Sequence, residues 1–310
     1  MEKRSPERKG LITRRSFMKG AAYGSLGMAA GLHAFGRGAS AGQAGAPFAA
    51  VDPLARLVLV RDERAVGEAH AIDAAVVAAM VDRAVCALSG ETDAAKAWGR
   101  YVKPDDVVGV KVTRCEWMRV HTSEAVIDAV VSGLTRAGVP KDRIHVQDGG
   151  LPVKACTALI NVPSIKVHTL TGMACSMKNY INLAPKPSAY HADGKSTLGE
   201  LFFLPDVKGK TRLVLVDALR LYFGPGPQIN PLHQWHYKGV FAGTDPVAVD
   251  TTALKLCETK RRLFKGEPWP ITPPPRFLAV ADKELKIGTS DPGRIKVDIL
   301  GWDKDLLLGA

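Results

Sequence analysis

Cysteine is scarce in this chain of 310 residues, and its five members, Cys86, Cys115, Cys156, Cys175 and Cys257, never stand in C-x-x-C spacing. That excludes a ferredoxin-type iron–sulfur cluster, which needs a tight run of cysteines. Zinc-finger spacing is missing as well. An odd, scattered set assigns no disulfide pair and reads mainly as small buried hydrophobes. The chain has no P-loop and no G-x-S-x-G elbow, so a Walker-type phosphate cradle and an α/β-hydrolase nucleophile are also excluded. After residue 41 no apolar run approaches the roughly 18 residues that span a membrane, so the body is expected not to cross one. No internal repeat is visible.

At its start the chain is basic, then weakly apolar, then rich in small residues. Arg14 and Arg15 precede Phe17 and Lys19, Gly20 to Phe35 is a Gly/Ala-rich stretch, and Ala39-Ser40-Ala41 has the small-residue cleavage pattern. This is the layout of a twin-arginine export signal. Residues 1–41 are therefore expected to be removed near Ala41 after passage through the twin-arginine translocase, leaving a periplasmic protein. Because that route carries folded proteins, a bound metal or organic cofactor is an open expectation. The signal also accounts for the basic charge. Residues 1–41 hold eight Lys/Arg and two Asp/Glu, a net +6, so the formal +11 falls to +5 (11 − 6) over roughly 270 residues. That is an ordinary charge, and no nucleic-acid footprint remains.

Residues 42–55 read as a Gly/Ala linker, and 56–310 as one large domain or two tightly joined lobes. Strand-like and helix-like stretches alternate through this body. Strands are expected at Arg56–Val60, Val107–Val112, Arg143–Gln147, Ala158–Val162, Ile165–His168, Arg212–Val216 and Val240–Gly243. Helices are expected at Ala71–Leu88, at Ser123–Ala137 with Ser123 as cap, and at Pro246–Cys257 with Asp245 as cap and Pro246 in the first position. Such alternation implies an α/β fold, a largely parallel sheet flanked by helices, with ligands beyond the carboxyl ends of its strands.

The densest group of polar residues is Ile165–Asn179. Its strand puts Lys166 and His168 on one side. A loop of small residues then leads to a helix expected to begin near Gly172, which brings in Lys178 and Asn179. Backbone N–H groups of such a loop can hold an anion, with the lysines supplying charge. A histidine between lysines resists protonation and stays available as acid/base or metal ligand. Lys111 and Arg114, at the end of the preceding strand, are further anion-binding candidates, with His121 beyond them. So are Asp148, Gly149 and Gly150, where the glycines permit a tight turn, and Asp217, read as a strand end. His168, His191, His233 and His236 are the metal candidates.

These blocks resemble the domain-of-unknown-function family numbered 362. The blocks are Ile165–Asn179 with its K-x-H…K-N pattern, Asp217…Gly224-x-Gly226-Pro227, and Ala242-Gly243-Thr244-Asp245-Pro246-Val247-Ala248-Val249-Asp250. The similarity runs from about Val107 to Leu300, including Lys286-Ile287-Gly288-Thr289…Asp291-Pro292…Ile295. Some relatives carry a ferredoxin-like insert that this chain lacks, and the family name implies no reaction. A more distant resemblance is to nickel-pincer lactate racemases. Thr113-Arg114, the helix after His121, Asp148-Gly149-Gly150, and His168 ten residues before Lys178 follow their order of elements. That resemblance implies an acid/base role for His168 and a cofactor- or anion-anchoring role for Lys178. The loop here lacks the double glycine of those racemases.

Three functions compete at this level. One is an exported enzyme acting on a small anionic substrate. The second is a non-catalytic periplasmic protein that binds or delivers a metal or cofactor. The third is a structural partner of a membrane redox complex.

Overall fold

The computed structural model describes residues 54–114, 120–191, 196–226 and 229–308. The expected export signal and nearly all of the linker lie outside these residues, as does Cys115. The elements in chain order are β1 (Ala55–Arg61), α1 (Ala74–Ser89), α2 (Ala94–Gly99), β2 (Val108–Val112), α3 (Glu124–Arg136), β3 (Ile144–Gln147), β4 (Ala158–Val162) and β5 (Ser164–His168). They continue with β6 (Gly172–Ala174), α4 (Ser176–Asn179), β7 (Thr211–Tyr222), β8 (Gln234–Trp235), β9 (Gly239–Gly243), α5 (Pro246–Lys265), α6 (Phe277–Lys283) and β10 (Ile295–Gly301).

The main path of the sheet is β10-β1-β9-β7-β4-β2-β3. Six of these seven strands share one direction; β9 is reversed, antiparallel to both β1 and β7. This is the expected α/β sheet, covered on both faces. One face, with Val58, Val110, Ile160 and Leu215, packs on Val81 of α1 and Val126 and Val130 of α3. The other, with Leu159, Val214 and Val216, packs on Val247 and Leu256 of α5 and Phe277 of α6. Double coverage explains why β2 and β4 are buried at every position and read as apolar runs broken only by Lys111 and Asn161.

The long helices begin and end where their sequences direct. Asp73 accepts from the Ala75 and Val76 N–H groups at the start of α1, which closes on Gly90 in the left-handed conformation. Asp245 caps α5 in the same way, ahead of Pro246, and Gly266 ends it.

Pro163 breaks β4 from β5. Both strands lie along β7, Asn161 opposite Val214 and Ser164 opposite Asp217, while the pairing of β2 with β4 stops at Val162. Proline offers no N–H to the ladder, and its carbonyl here accepts the Asp217 N–H at 2.8 Å. The chain thereby leaves β2 and turns towards the loops that follow β2 and β3.

Three expectations are corrected. No helix starts at Gly172: residues 172–174 form β6, antiparallel to β5, and α4 begins at Ser176 with a single turn that continues as a 3₁₀ turn over Tyr180–Leu183. Asp217 lies inside the 12-residue β7 rather than at a strand end. Ser123 occupies the position before α3, but its side chain makes no capping hydrogen bond.

Candidate functional site

β2 carries Lys111 onto the face opposite Val110 and Val112, and the side chain is fully buried. A buried ammonium needs acceptors. Lys111 Nζ donates to Asp148 Oδ1 at 2.7 Å, to the Val112 carbonyl at 3.0 Å and to Asn179 Oδ1 at 3.4 Å. Asp148, just past β3, also accepts from Asn182 Nδ2 at 2.8 Å and from the Arg114 N–H at 2.9 Å. Burial pushes the Asp148 carboxyl up, but the Lys111 charge and these three donors together hold it below the usual carboxylate value.

Asn179 ties this pair to the rest of the site. Its Nδ2 donates to the Lys111 carbonyl at 2.9 Å and to Asn161 Oδ1 at 2.8 Å, and its Oδ1 accepts from Thr113 Oγ1 at 3.0 Å. Asn161 completes the chain by donating to the Ser176 carbonyl at 2.9 Å. Strand ends, the turn after β3 and the first turn of α4 are thus locked together by buried polar bonds.

His168 closes β5 from the other side. Ile165 and Val167 enter the core, which places Lys166 and His168 on the opposite side as alternation requires. His168 Nδ1 accepts the Leu170 N–H at 3.2 Å and the Thr171 N–H at 3.4 Å. A neutral imidazole that accepts through Nδ1 carries its proton on Nε2. Burial, then the Lys178, His191 and Lys166 charges, lowers the His168 pKa to about 3. His191 stacks on it, ring centres 5.6 Å apart and planes 13° from parallel, and its own pKa is lowered by burial and by Lys178. The resulting group is a neutral imidazole with its proton on Nε2, in the field of cationic side chains.

The remaining candidates divide. The Arg114 guanidinium forms an ion pair with Glu124. Gly150 adopts the left-handed conformation of a tight turn, and a cleft of about 670 Å³ runs past it and Asn182. Asp217 is buried, with Oδ2 accepting the Ser123 N–H at 2.7 Å and Oδ1 the Leu219 N–H at 2.9 Å. Its carboxylate is thus a brace between β7 and the start of α3 rather than a ligand contact. The loop's backbone is also engaged: Leu170 and Thr171 serve His168, and the Ser176 and Met177 N–H groups serve Asp250. Those four amides are therefore not the anion cradle anticipated from sequence.

The metal candidates separate as well. His233 sits among Phe223, Phe264 and Trp269, whereas His236 lies against His70, ring centres 4.6 Å apart. Among the described residues no group of three or more His, Cys, Asp or Glu is placed to hold a metal. No helix among them is long and apolar enough to cross a membrane. Cys156, Cys175 and Cys257 are buried and Cys86 half-buried, all as free thiols.

Sequence reasoning missed Asn161, Asn182 and the internal role of Asp250. Asn161 left a signal, a lone amide in the otherwise apolar run Ala158–Val162. Asp250 left none, since its partner α4 lies 74 residues away.

Fold and site define an α/β protein with a mixed, mostly parallel sheet and a buried polar network at the ends of β2, β3 and β4. The chain belongs to the family described as Domain of unknown function (DUF362), whose model matches residues 68–255. That span contains all three motif blocks; it starts earlier and ends earlier than the resemblance from Val107 to Leu300 indicated. No curated protein and no solved structure matches the chain.

Proposed function

We propose that this protein is an exported enzyme acting on a small anionic substrate, with His168 Nε2–H as the proton donor or hydrogen-bonding electrophile. Lys178 and Lys166 supply the positive charge, and the Lys111–Asp148–Asn179 network holds the strand ends in register. The observation that carries this reading is the pair of backbone N–H groups on His168 Nδ1. They fix the tautomer and leave Nε2 as a neutral donor in the field of Lys178 and Lys166, which suits a substrate oxygen that gains negative charge. The twin-arginine layout of residues 13–41 supports a periplasmic location.

The test is untargeted mass spectrometry of the purified protein incubated with phosphorylated and carboxylated metabolites. A substrate consumed by wild type, and left intact by His168→Gln with an unchanged circular-dichroism spectrum, supports the enzyme. A ligand that binds wild type and His168→Gln alike, without conversion, contradicts it and favours a binding or delivery protein.

A further inference from the structure

α4 is a one-turn helix that carries two site residues, Lys178 and Asn179, so something outside it must set its position. An isolated helix this short has no stability of its own. Asp250, on the first turns of α5, is fully buried and reaches across to it. Its Oδ1 accepts the Ser176 N–H at 2.7 Å and its Oδ2 the Met177 N–H at 3.0 Å. Both oxygens thus bind the amides that open the turn, where the helix dipole also favours a negative charge. Cys175, immediately before α4, has φ −152° and ψ −129° and makes no side-chain cap of its own. The cap is supplied from another helix.

We infer that Asp250 is the positioning residue that sets Lys178 and Asn179 for anion binding, and that its ionisation tightens or loosens α4. This rests on the anionic-substrate reading above. Asp250 as carboxylate offers acceptors to both amides; protonated, it keeps a weaker hold on them. Burial raises its pKa to about 7, against the pull of the Met177 and Ser176 N–H groups and the Cys175 thiol. The titratable groups facing it are that thiol and Asp245 at the start of its own helix, with Cys257 facing Cys175 in turn. Burial holds both thiols in their neutral form and raises the Asp245 carboxyl as well. The clamp is therefore loose on the acid side of neutrality and firm on the alkaline side.

Two measurements on the full chain test this. The first is amide hydrogen exchange at Ser176 and Met177 in wild type from pH 5.5 to 8.5, corrected for intrinsic rates. Protection that rises through neutrality supports the inference; protection that is flat overturns it, whatever binds. The second is sulfate binding by calorimetry, sulfate being a dianion throughout that range. Wild-type affinity is expected to rise with the same midpoint, while Asp250→Asn binds about tenfold more weakly with no such rise. A variant that keeps the wild-type pH profile overturns the role of Asp250 ionisation. Absence of sulfate binding in wild type, with protection still rising, contradicts the anionic-substrate reading and leaves the clamp standing.

Discussion

Lys111 and Asp148 stand 37 residues apart in the chain and meet at 2.7 Å, with the ammonium wholly buried and the carboxylate at the edge of solvent. The contact joins β2 to the turn after β3, and through Asn179 it reaches α4. Removing one partner of such a pair strands the other charge. Lys111→Met is therefore expected to cost about 3–5 kcal/mol, read as a lower urea midpoint. Adding Asp148→Leu to that variant should recover part of the loss.

The same pair gives an acid-side signature. Asp148 has a folded pKa below its ordinary value, so the unfolded chain takes up the proton first as pH falls. Its stabilisation is present above the unfolded pKa and disappears as pH drops through the folded one. Urea midpoints measured between pH 6 and 3 should fall in wild type and fall less steeply in the Lys111→Met, Asp148→Leu double variant, whose remaining slope comes from other groups with lowered folded pKa, His168 among them.

Asp217 should behave as scaffold. Both its oxygens serve backbone N–H groups, so Asp217→Asn is expected to lose about 1–3 kcal/mol by thermal unfolding. Sulfate affinity of the folded variant should match wild type. Burial raises the Asp217 carboxyl despite the Ser123 and Leu219 donors. Its stabilising proton is held below the unfolded pKa and lost as pH rises through the folded one, a slope the asparagine variant should lack.

Gly133 is the one position in α3 where a methyl group has nowhere to go, because a Cβ would run into the indole of Trp98. Gly133→Ala gains helix propensity yet overpacks a rigid ring, and the net is expected to be a loss of about 1–3 kcal/mol. Thermal unfolding checks it; an unchanged midpoint would mean that α2 moves aside.

Much of the frame was legible in the sequence because it rests on local chemistry. Asp245 with Pro246 marks a helix start by rules that act within a few residues, whereas the helix runs on to Lys265, past the expected end at Cys257. Val108–Val112 and Ala158–Val162 announce buried parallel strands by being apolar except at Lys111 and Asn161. The site was legible only in part. The side shared by Lys166 and His168 follows from strand alternation, but β6 does not, since Gly172–Ala174 becomes a strand only by pairing with β5. Asp217 looks like a ligand-binding acid in a linear reading, and Asp250 stands out only as the end of a motif block. Tertiary contact turns both onto backbone N–H groups 94 and 74 residues away, at the starts of α3 and α4, and no local pattern encodes that.

The central claim is the protonation state of His168, and nitrogen-15 NMR of the imidazole tests it most directly. The account predicts a neutral ring from pH 8 to pH 5, with Nε2 protonated and Nδ1 in the acceptor range, because its pKa lies near 3. An imidazolium forming with an ordinary midpoint near pH 6.5, or a proton resident on Nδ1, would contradict it.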